Sequence, residues 1–467
     1  MSAVQESASR PVPGGGNVIA EYFRFAERGT TLATEAKAGL TTFMVMAYII
    51  FVNPSILAAA GVPVPAAAAA TALVAGILTI AMGLVANVPI ALAAGLGING
   101  IVAFYLAQPA EAGGLGLSWQ GAMGVIVLEG LAVLVLVLVG LREAIMNAVP
   151  LSLKRAIGVG IGLFILFIGF VDGQLIRQPA GDGPVPVEFV FPNSPAAWVT
   201  LLGLLITVVL WVRRIPAALL LSILITTVIA LLVGVSSVPP NFQATPDFST
   251  IGQFDLGNVF ATVGLLTAVL VIFTVMLTDF FDTMGTATAI GEQAGLTDKE
   301  GRLPTIGRIL LVDSAAAAAG GAAGISSNTS YIESAAGVAE GGRTGFASVV
   351  TGVLFLLAVF LSPLAAVVPF SATAPVLIIV GFLMATLIRD IDFNDVEEGL
   401  PALFGIVLMP LTFSITVGIG AAFVAYVVIK VIRGKLTEIH PLLWAVAIAF
   451  LVYFAQRPIQ TVISGLG

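Results

Sequence analysis

Apolar residues fill this chain in long runs separated by short polar clusters, and the lengths of the runs predict its elements. A first set lies near 38–58, 66–87, 89–108, 117–140, 153–171, 195–212 and 216–236. A second lies near 260–289, 306–322, 325–341, 345–362, 372–388, 400–414 and 416–433. At about 1.5 Å of rise per residue, most of these runs are comparable with a hydrocarbon layer roughly 30 Å thick. Each set has seven members, and the third member of each is interrupted by glycine and polar residues. One further run, Pro441 to Phe454, has only 14 residues. That length suits an interfacial or re-entrant helix, and the peripheral reading is favoured over a crossing.

The interrupted member of the second set lies in the stretch GISSNTSYIESAAGVAEGGRTG, Gly324 to Gly345. Ile325 to Tyr331 is small, β-branched and hydroxyl-rich, which favours extended backbone, whereas Glu333 to Ala339 suits a helix of about two turns. Extended backbone at membrane depth is tolerated only where protein or a water-filled cavity satisfies its amides. A strand feeding a half-helix therefore predicts a binding cavity. The counterpart in the first set, PIALAAGLGINGIVAFYL (89–106), contains Gly95-Leu96-Gly97-Ile98-Asn99-Gly100. This matches a dinucleotide-binding pattern in form only: no soluble βαβ unit surrounds it, and no acidic residue follows at the required distance. Its glycines instead let the chain turn from strand to half-helix and approach a flat ligand closely.

The two sets repeat each other. Val149-Pro150-Leu151-Ser152 followed by Gly162 matches Val368-Pro369-Phe370-Ser371 followed by Gly381 at an offset of 219. Phe43, Val45 and Met46 match Phe273, Val275 and Met276 at an offset of 230. Seven crossings per half is an odd number, so the second half must be inverted relative to the first. The fold class expected is an all-α polytopic membrane protein with 14 transmembrane segments in a 7+7 inverted repeat and short strands in segments 3 and 10.

Composition agrees. Of 467 residues, 58% are hydrophobic and 10% charged, and the mean hydropathy is +1.09. Cysteine is absent and His440 is the single histidine, which excludes disulfides, thiolate metal sites and multi-histidine metal sites. A net charge of −7 leaves no basic face for nucleic acid. The first 17 residues lack an apolar core and read as a disordered tail, not a cleaved signal peptide. With the N-terminus placed in the cytoplasm, 17 of the 19 basic residues fall inside, Arg177 falls outside and Arg457 is left open. That asymmetry sets the expected orientation in the cell membrane. IAEYFRFAER (19–28) suits a short helix at the membrane surface, with a plain linker as the alternative.

Intramembrane acids are where chemistry is expected. In LVIFTVMLTDFFDTMGTATAIG (270–291), Asp279, Asp282, Thr283 and Thr286 fall at i, i+3, i+4 and i+7, sharing one helix face. A carboxylate at the bilayer centre costs at least about 2.5 to 3.5 kcal/mol, so these acids must face a cavity or partners. An ion pair would need a distant base such as Lys154 or Arg155. Glu333 opens the half-helix, where the helix end stabilises its charge and two acceptor oxygens suit a ligand edge with adjacent N–H groups, as on a purine. The alternatives are that Glu333 and Asn99 merely cap their half-helices. Arg343 reads as an interface anchor, Asp313 as an internal hydrogen-bond partner and Glu129 as one member of a structural pairing.

At TTFMVMAYIIFVNPSIL (41–57), GLGIN (95–99), FFDTMGT (280–286) and YIESAAGVAEGGRTG (331–345) the chain resembles the nucleobase cation symporter-2 superfamily, in its AzgA-like purine permease branch. The resemblance runs from about Tyr22 to Phe454. It implies a core domain (36–140 and 260–362) moving against a gate domain (141–236 and 368–433), flanked by a tail with a surface helix (1–30) and a C-terminal segment (438–467). It implies proton-driven import of adenine, guanine or hypoxanthine, bound between the two strands. Substrate contacts then fall on Asp279, Glu333 and Asn99, with Asp282, Thr283, Ser330 and Tyr331 beside them, and proton coupling falls on Asp279, Asp282 and Glu333. The partners expected are a purine base, a proton, the lipid bilayer and a second copy through the gate domain; no cofactor is called for. Ile325-Ser326-Ser327-Asn328 and Ala287-Thr288 depart from the branch pattern and bear on base preference. An anion or sulfate transporter of the same fold is the alternative, opposed by three cavity carboxylates. A membrane enzyme would lack an evident nucleophile or metal site.

Overall fold

The computed structural model describes residues 18–109, 114–140, 149–179, 187–240, 242–298 and 303–465. The expected tail over 1–17, and Arg10, Arg142, Lys299 and Arg302 of the charge partition, lie outside them.

Each of the fourteen predicted stretches is an element of the structure. After the short α1 (Val18–Tyr22), the first half comprises α2 (Leu32–Met46) with α3 (Ile49–Leu57), α4 (Val64–Ala86), β1 (Leu92–Ala94) with α5 (Leu96–Ile101), α6 (Trp119–Leu138), α7 (Leu151–Asp172), α8 (Pro195–Val212) and α9 (Ala218–Leu232). A two-stranded hairpin of β2 (Ile176–Arg177) and β3 (Glu188–Phe189) follows α7. The second half comprises α10 (Leu256–Gln293), α11 (Ile306–Ala322), β4 (Asn328–Ser330) with α12 (Ser334–Ala339), α13 (Gly345–Ala358), α14 (Phe370–Ala385), α15 (Val396–Leu411) and α16 (Ile415–Ile432). Among the described residues, nine helices are long and apolar enough to cross a membrane. α10 is two helices meeting at Gly264, whose φ of 73° only glycine adopts freely.

The halves are interwoven. α7 packs on α14, α4 on α13 and α6 on α11, each pair drawing one helix from each half. Small residues make the contacts close: Gly83 and Gly345 leave no room for a Cβ on either, and Gly76 meets Gly352 in the same way. Lipid tails are as apolar as leucine, so such backbone approach, with its dispersion contacts, is what draws helices together in a bilayer. The segment after α1 is anchored, since Phe23 and Phe25 both stack edge-on against Phe346 and the Tyr22 hydroxyl donates to Leu84 O.

The C-terminal helix is longer than its apolar run. α17 (Pro441–Gly465) is 25 residues long, so its polar second part continues the helix begun by the apolar 441–454. It lies against α16, with Phe450 stacked on Phe423 at 6.3 Å and Gly420 making room for Phe450 and Phe454. The Tyr453 hydroxyl meets that of Tyr105. Its apolar part, 441–455, stays shorter than a span, in keeping with the peripheral reading.

Candidate functional site

The third and tenth segments meet at their extended parts. β1 and β4 pair antiparallel, with Leu92 opposite Ser330, Ala93 opposite Thr329 and Ala94 opposite Asn328. Gly95 N donates to Ser327 O at 2.8 Å and Tyr331 N to Ala91 O at 2.9 Å, extending the ladder at both ends. A two-stranded ribbon leaves its outer amides unpaired, and inside a membrane each would cost several kcal/mol. Neighbouring side chains meet several of them. Thr79 Oγ1 accepts from Leu92 N, Ser334 Oγ accepts from Ala91 N, Ser348 Oγ donates to Val88 O and Ile90 O, and Asn53 Nδ2 donates to Ile325 O. At Gly95, where β1 turns into α5, a Cβ would press on the Thr329 methyl. The half-helices α5 and α12 leave this crossing in opposite directions.

α10 passes beside the crossing and presents different faces to different neighbours. Asp279 (1% exposed) and Thr283 (0%) turn inward, whereas Asp282 is exposed together with Gly285 and Ala289. Three residues of α-helix rotate by about 300°, so Asp282 sits some 60° round from Asp279, enough to split the predicted single face between a buried and an exposed side. Arg155, a base considered as a distant partner for these acids, donates instead to Asp390 O.

Asp313 on α11 ties three elements together. Its Oδ2 accepts from Thr283 Oγ1 at 2.6 Å and its Oδ1 from Ser330 Oγ at 2.9 Å, while the Thr283 and Thr329 hydroxyls lie 2.7 Å apart. The hydroxyls of Thr283 and Ser330 are thus held by the scaffold. The Tyr331 hydroxyl donates to Ala94 O across the ribbon.

Glu333 is positioned differently. It precedes α12 and makes no capping hydrogen bond, so its side chain is free for another role. Its Oε1 accepts from the Tyr48 hydroxyl at 2.6 Å, and the residue is partly exposed beside Ile332, which is 50% exposed. Asn99 does not cap α5 either: Gly95 holds the N-cap position, and both amide atoms of Asn99 are buried without a partner among the described residues. Arg343 Nη1 donates to Val338 O and Gly342 O at 2.7 Å and so caps the end of α12.

Tyr48 and Glu35 were not singled out from the sequence. Tyr48 is fully buried in an apolar run, and a buried phenol needs a partner, which is the signal that could have found it. Glu35 is also fully buried and accepts from Arg343 N, Thr344 N and Ala347 N, holding the Gly-rich loop that leads into α13.

α7 packs closely against α5. Gly97 and Gly100 on α5 face Ile161 and Phe164 of α7 so closely that neither could carry a Cβ without displacement. Phe104, Phe164 and Phe413 form an aromatic cluster beyond them. The exposed strip along Asp282, Gly285 and Ala289 lies in the last third of α10.

The Xan_ur_permease family model, described as a permease family, matches residues 34–424. The guanine/hypoxanthine permease PbuG of Bacillus subtilis is 40% identical over 446 residues, covering 93% of this chain and 98% of its own. The adenine permease AdeP of Escherichia coli is 39% identical over 445 residues, covering 94% and 96%. Among solved structures, the transmembrane domain of the cyanobacterial bicarbonate transporter BicA superposes with a TM-score of 0.62 at 15% identity, covering 84% of this chain and 97% of that one. SLC26A9 superposes with a TM-score of 0.61 at 11% identity, covering 93% and 73%. At such identities these two structures share the fold alone, and that fold is the 7+7 arrangement expected from the repeats. With most of its length matched by the model and by relatives near 40% identity, this chain belongs to the Xan_ur_permease, or nucleobase cation symporter-2, family, whose members are transporters and not enzymes.

Proposed function

We propose that this protein imports a purine nucleobase (adenine, guanine or hypoxanthine) across the cell membrane by alternating access, driven by a proton gradient. The observation that carries the reading is Glu333, partly exposed beside the strand crossing and held by Tyr48 at 2.6 Å. One carboxylate oxygen accepts from a phenol, and the group as a whole retains acceptor capacity for adjacent N–H groups on a flat base. Asp282 faces the same cleft, Tyr331 and Asn99 flank the ribbon, and Asp279 stands behind it. The relatives named for guanine, hypoxanthine and adenine support a purine as cargo. In this reading the core domain, 36–140 with 260–362, moves against the gate domain, 141–236 with 368–433, and the N-terminus is cytoplasmic. Two copies pair through the gate domain.

An anion as cargo is the second reading, suggested by the shared fold with a bicarbonate transporter. Two carboxylates on the cleft, Asp282 and Glu333, would repel an anion where it must bind. Uptake of labelled adenine into cells, competed by unlabelled purines, pyrimidines, bicarbonate and sulfate, decides between them. Competition by purines alone is expected, and competition by the anions alone would overturn the purine reading.

A further inference from the structure

We propose that Glu129 and Asp279 form a proton-sharing carboxyl pair that carries the coupled proton, at a place separate from the purine contacts. The proposal rests on the proton-driven reading above and names its carrier.

The two side chains come from different helices, α6 and α10, which pack along each other. Glu129 is fully buried and Asp279 is 1% exposed. No N–H or O–H among the described residues reaches any of their four carboxyl oxygens. What each does face, within hydrogen-bonding reach, is the other. Two carboxylates are both acceptors, so a hydrogen bond between them exists only when a proton is present to make it. Without it, two like charges would stand in contact in a buried interior, the situation in which a carboxyl dyad holds one proton in common.

The surroundings offer no other relief. The charged groups that act on the pair are Asp313 of α11 and Asp282 on α10 itself, both acidic. Asp313 already accepts at both oxygens, from Thr283 and Ser330. The turn over 102–106, also packed on α6, brings Tyr105, whose hydroxyl is engaged with that of Tyr453. A route to the substrate region nevertheless exists, because Asp282 lies on the cleft face of the helix that carries Asp279, and Asp313 grips β4 through Ser330. Binding or loss of one proton at the pair therefore changes the charge directly behind the strand crossing. Glu129 itself lines no part of the cleft.

The test uses purified full-length protein in proteoliposomes and compares two rates for one purine: accumulation driven by an imposed pH gradient, and purine–purine exchange at equal pH. In Glu129→Gln the amide donates to Asp279 permanently, imitating the protonated pair and keeping its packing. The ratio of accumulation to exchange is expected to fall at least about tenfold below wild type, while Glu129→Asp, which restores a carboxyl, recovers part of it with a displaced pH profile. A Glu129→Gln protein with the wild-type ratio and pH profile would overturn the proposal alone. Should Glu129→Gln fail to reach the membrane, an unshifted pH profile in Glu129→Asp overturns it equally. A wild-type protein that exchanges purines but ignores the pH gradient removes the proton-driven reading, and the pair's role with it.

Discussion

Gly162 on α7 and Gly381 on α14, at the same position in each half, face each other so closely that a Cβ on either would press on the other's carbonyl oxygen. Residues 219 apart in sequence and equivalent in the repeat meet in space, as expected if a two-fold axis relating the inverted halves passes between them. The prolines that begin the two helices, Pro150 and Pro369, are equivalent at the same offset.

Enlarging either glycine should force α7 and α14 apart. Gly162→Val and Gly381→Val are expected to destabilise the protein by about 1 to 3 kcal/mol each, as overpacking of a filled interior does. Gly285→Ala is the control, since a Cβ there meets open space. Thermal unfolding of the purified proteins checks this: Tm should drop in the first two and hold in the third.

Glu333→Gln keeps the shape of the side chain but replaces one acceptor with a donor. A purine N–H pair then loses a bond and meets an unmatched donor, costing about 1 to 3 kcal/mol, or roughly 5- to 150-fold in affinity. Tyr48→Phe removes the one donor to Oε1 and should cost less, about 0.5 to 1.5 kcal/mol, or roughly 2- to 13-fold. Asp279→Asn should damage gradient-driven accumulation at least as much as equilibrium binding. Titrating the purified variants with base measures all three, and normal affinity in Glu333→Gln would remove that residue from the site.

Asp313→Ala leaves the buried hydroxyl of Ser330 without its acceptor, while Thr283 keeps Thr329. A buried polar group left unpaired costs about 1 to 3 kcal/mol, so Tm should fall. A wild-type Tm would mean that Asp313 does not hold β4 in place.

Orientation is open to direct chemistry, because the chain has no cysteine of its own. Single cysteines at the exposed Gln174 and Gln243 should react with an impermeant reagent applied to intact cells, and one at Thr297 should not. Labelling at Thr297 would reverse the assigned topology.

Sequence alone determined the features that depend on local chemistry. A bilayer demands long apolar runs, so the polytopic helical class was legible, and nine of the described helices are long and apolar enough to cross. Extended backbone cannot sit unpaired in lipid, so Gly324 to Gly345 had to be a strand and half-helix protected by something, and the odd number of crossings made the repeat inverted. An acid in an apolar helix marks itself by its cost, which brought Asp279, Asp282 and Glu333 into view. Tertiary structure alone decided what each of those residues faces. Asp279 and Asp282 look alike in sequence, and only the packing of α10 against α6 and α11 turned the first into the interior and left the second exposed. Thr283 and Ser330, read as ligand contacts, have their hydroxyls held by Asp313 from another helix. Tyr48 meets Glu333, Glu129 meets Asp279 and α17 docks on α16 through contacts that join distant parts of the chain or its two halves. Backbone form answers to neighbouring residues and to the solvent, whereas a side chain's partner is fixed only when helices remote in sequence close on one another.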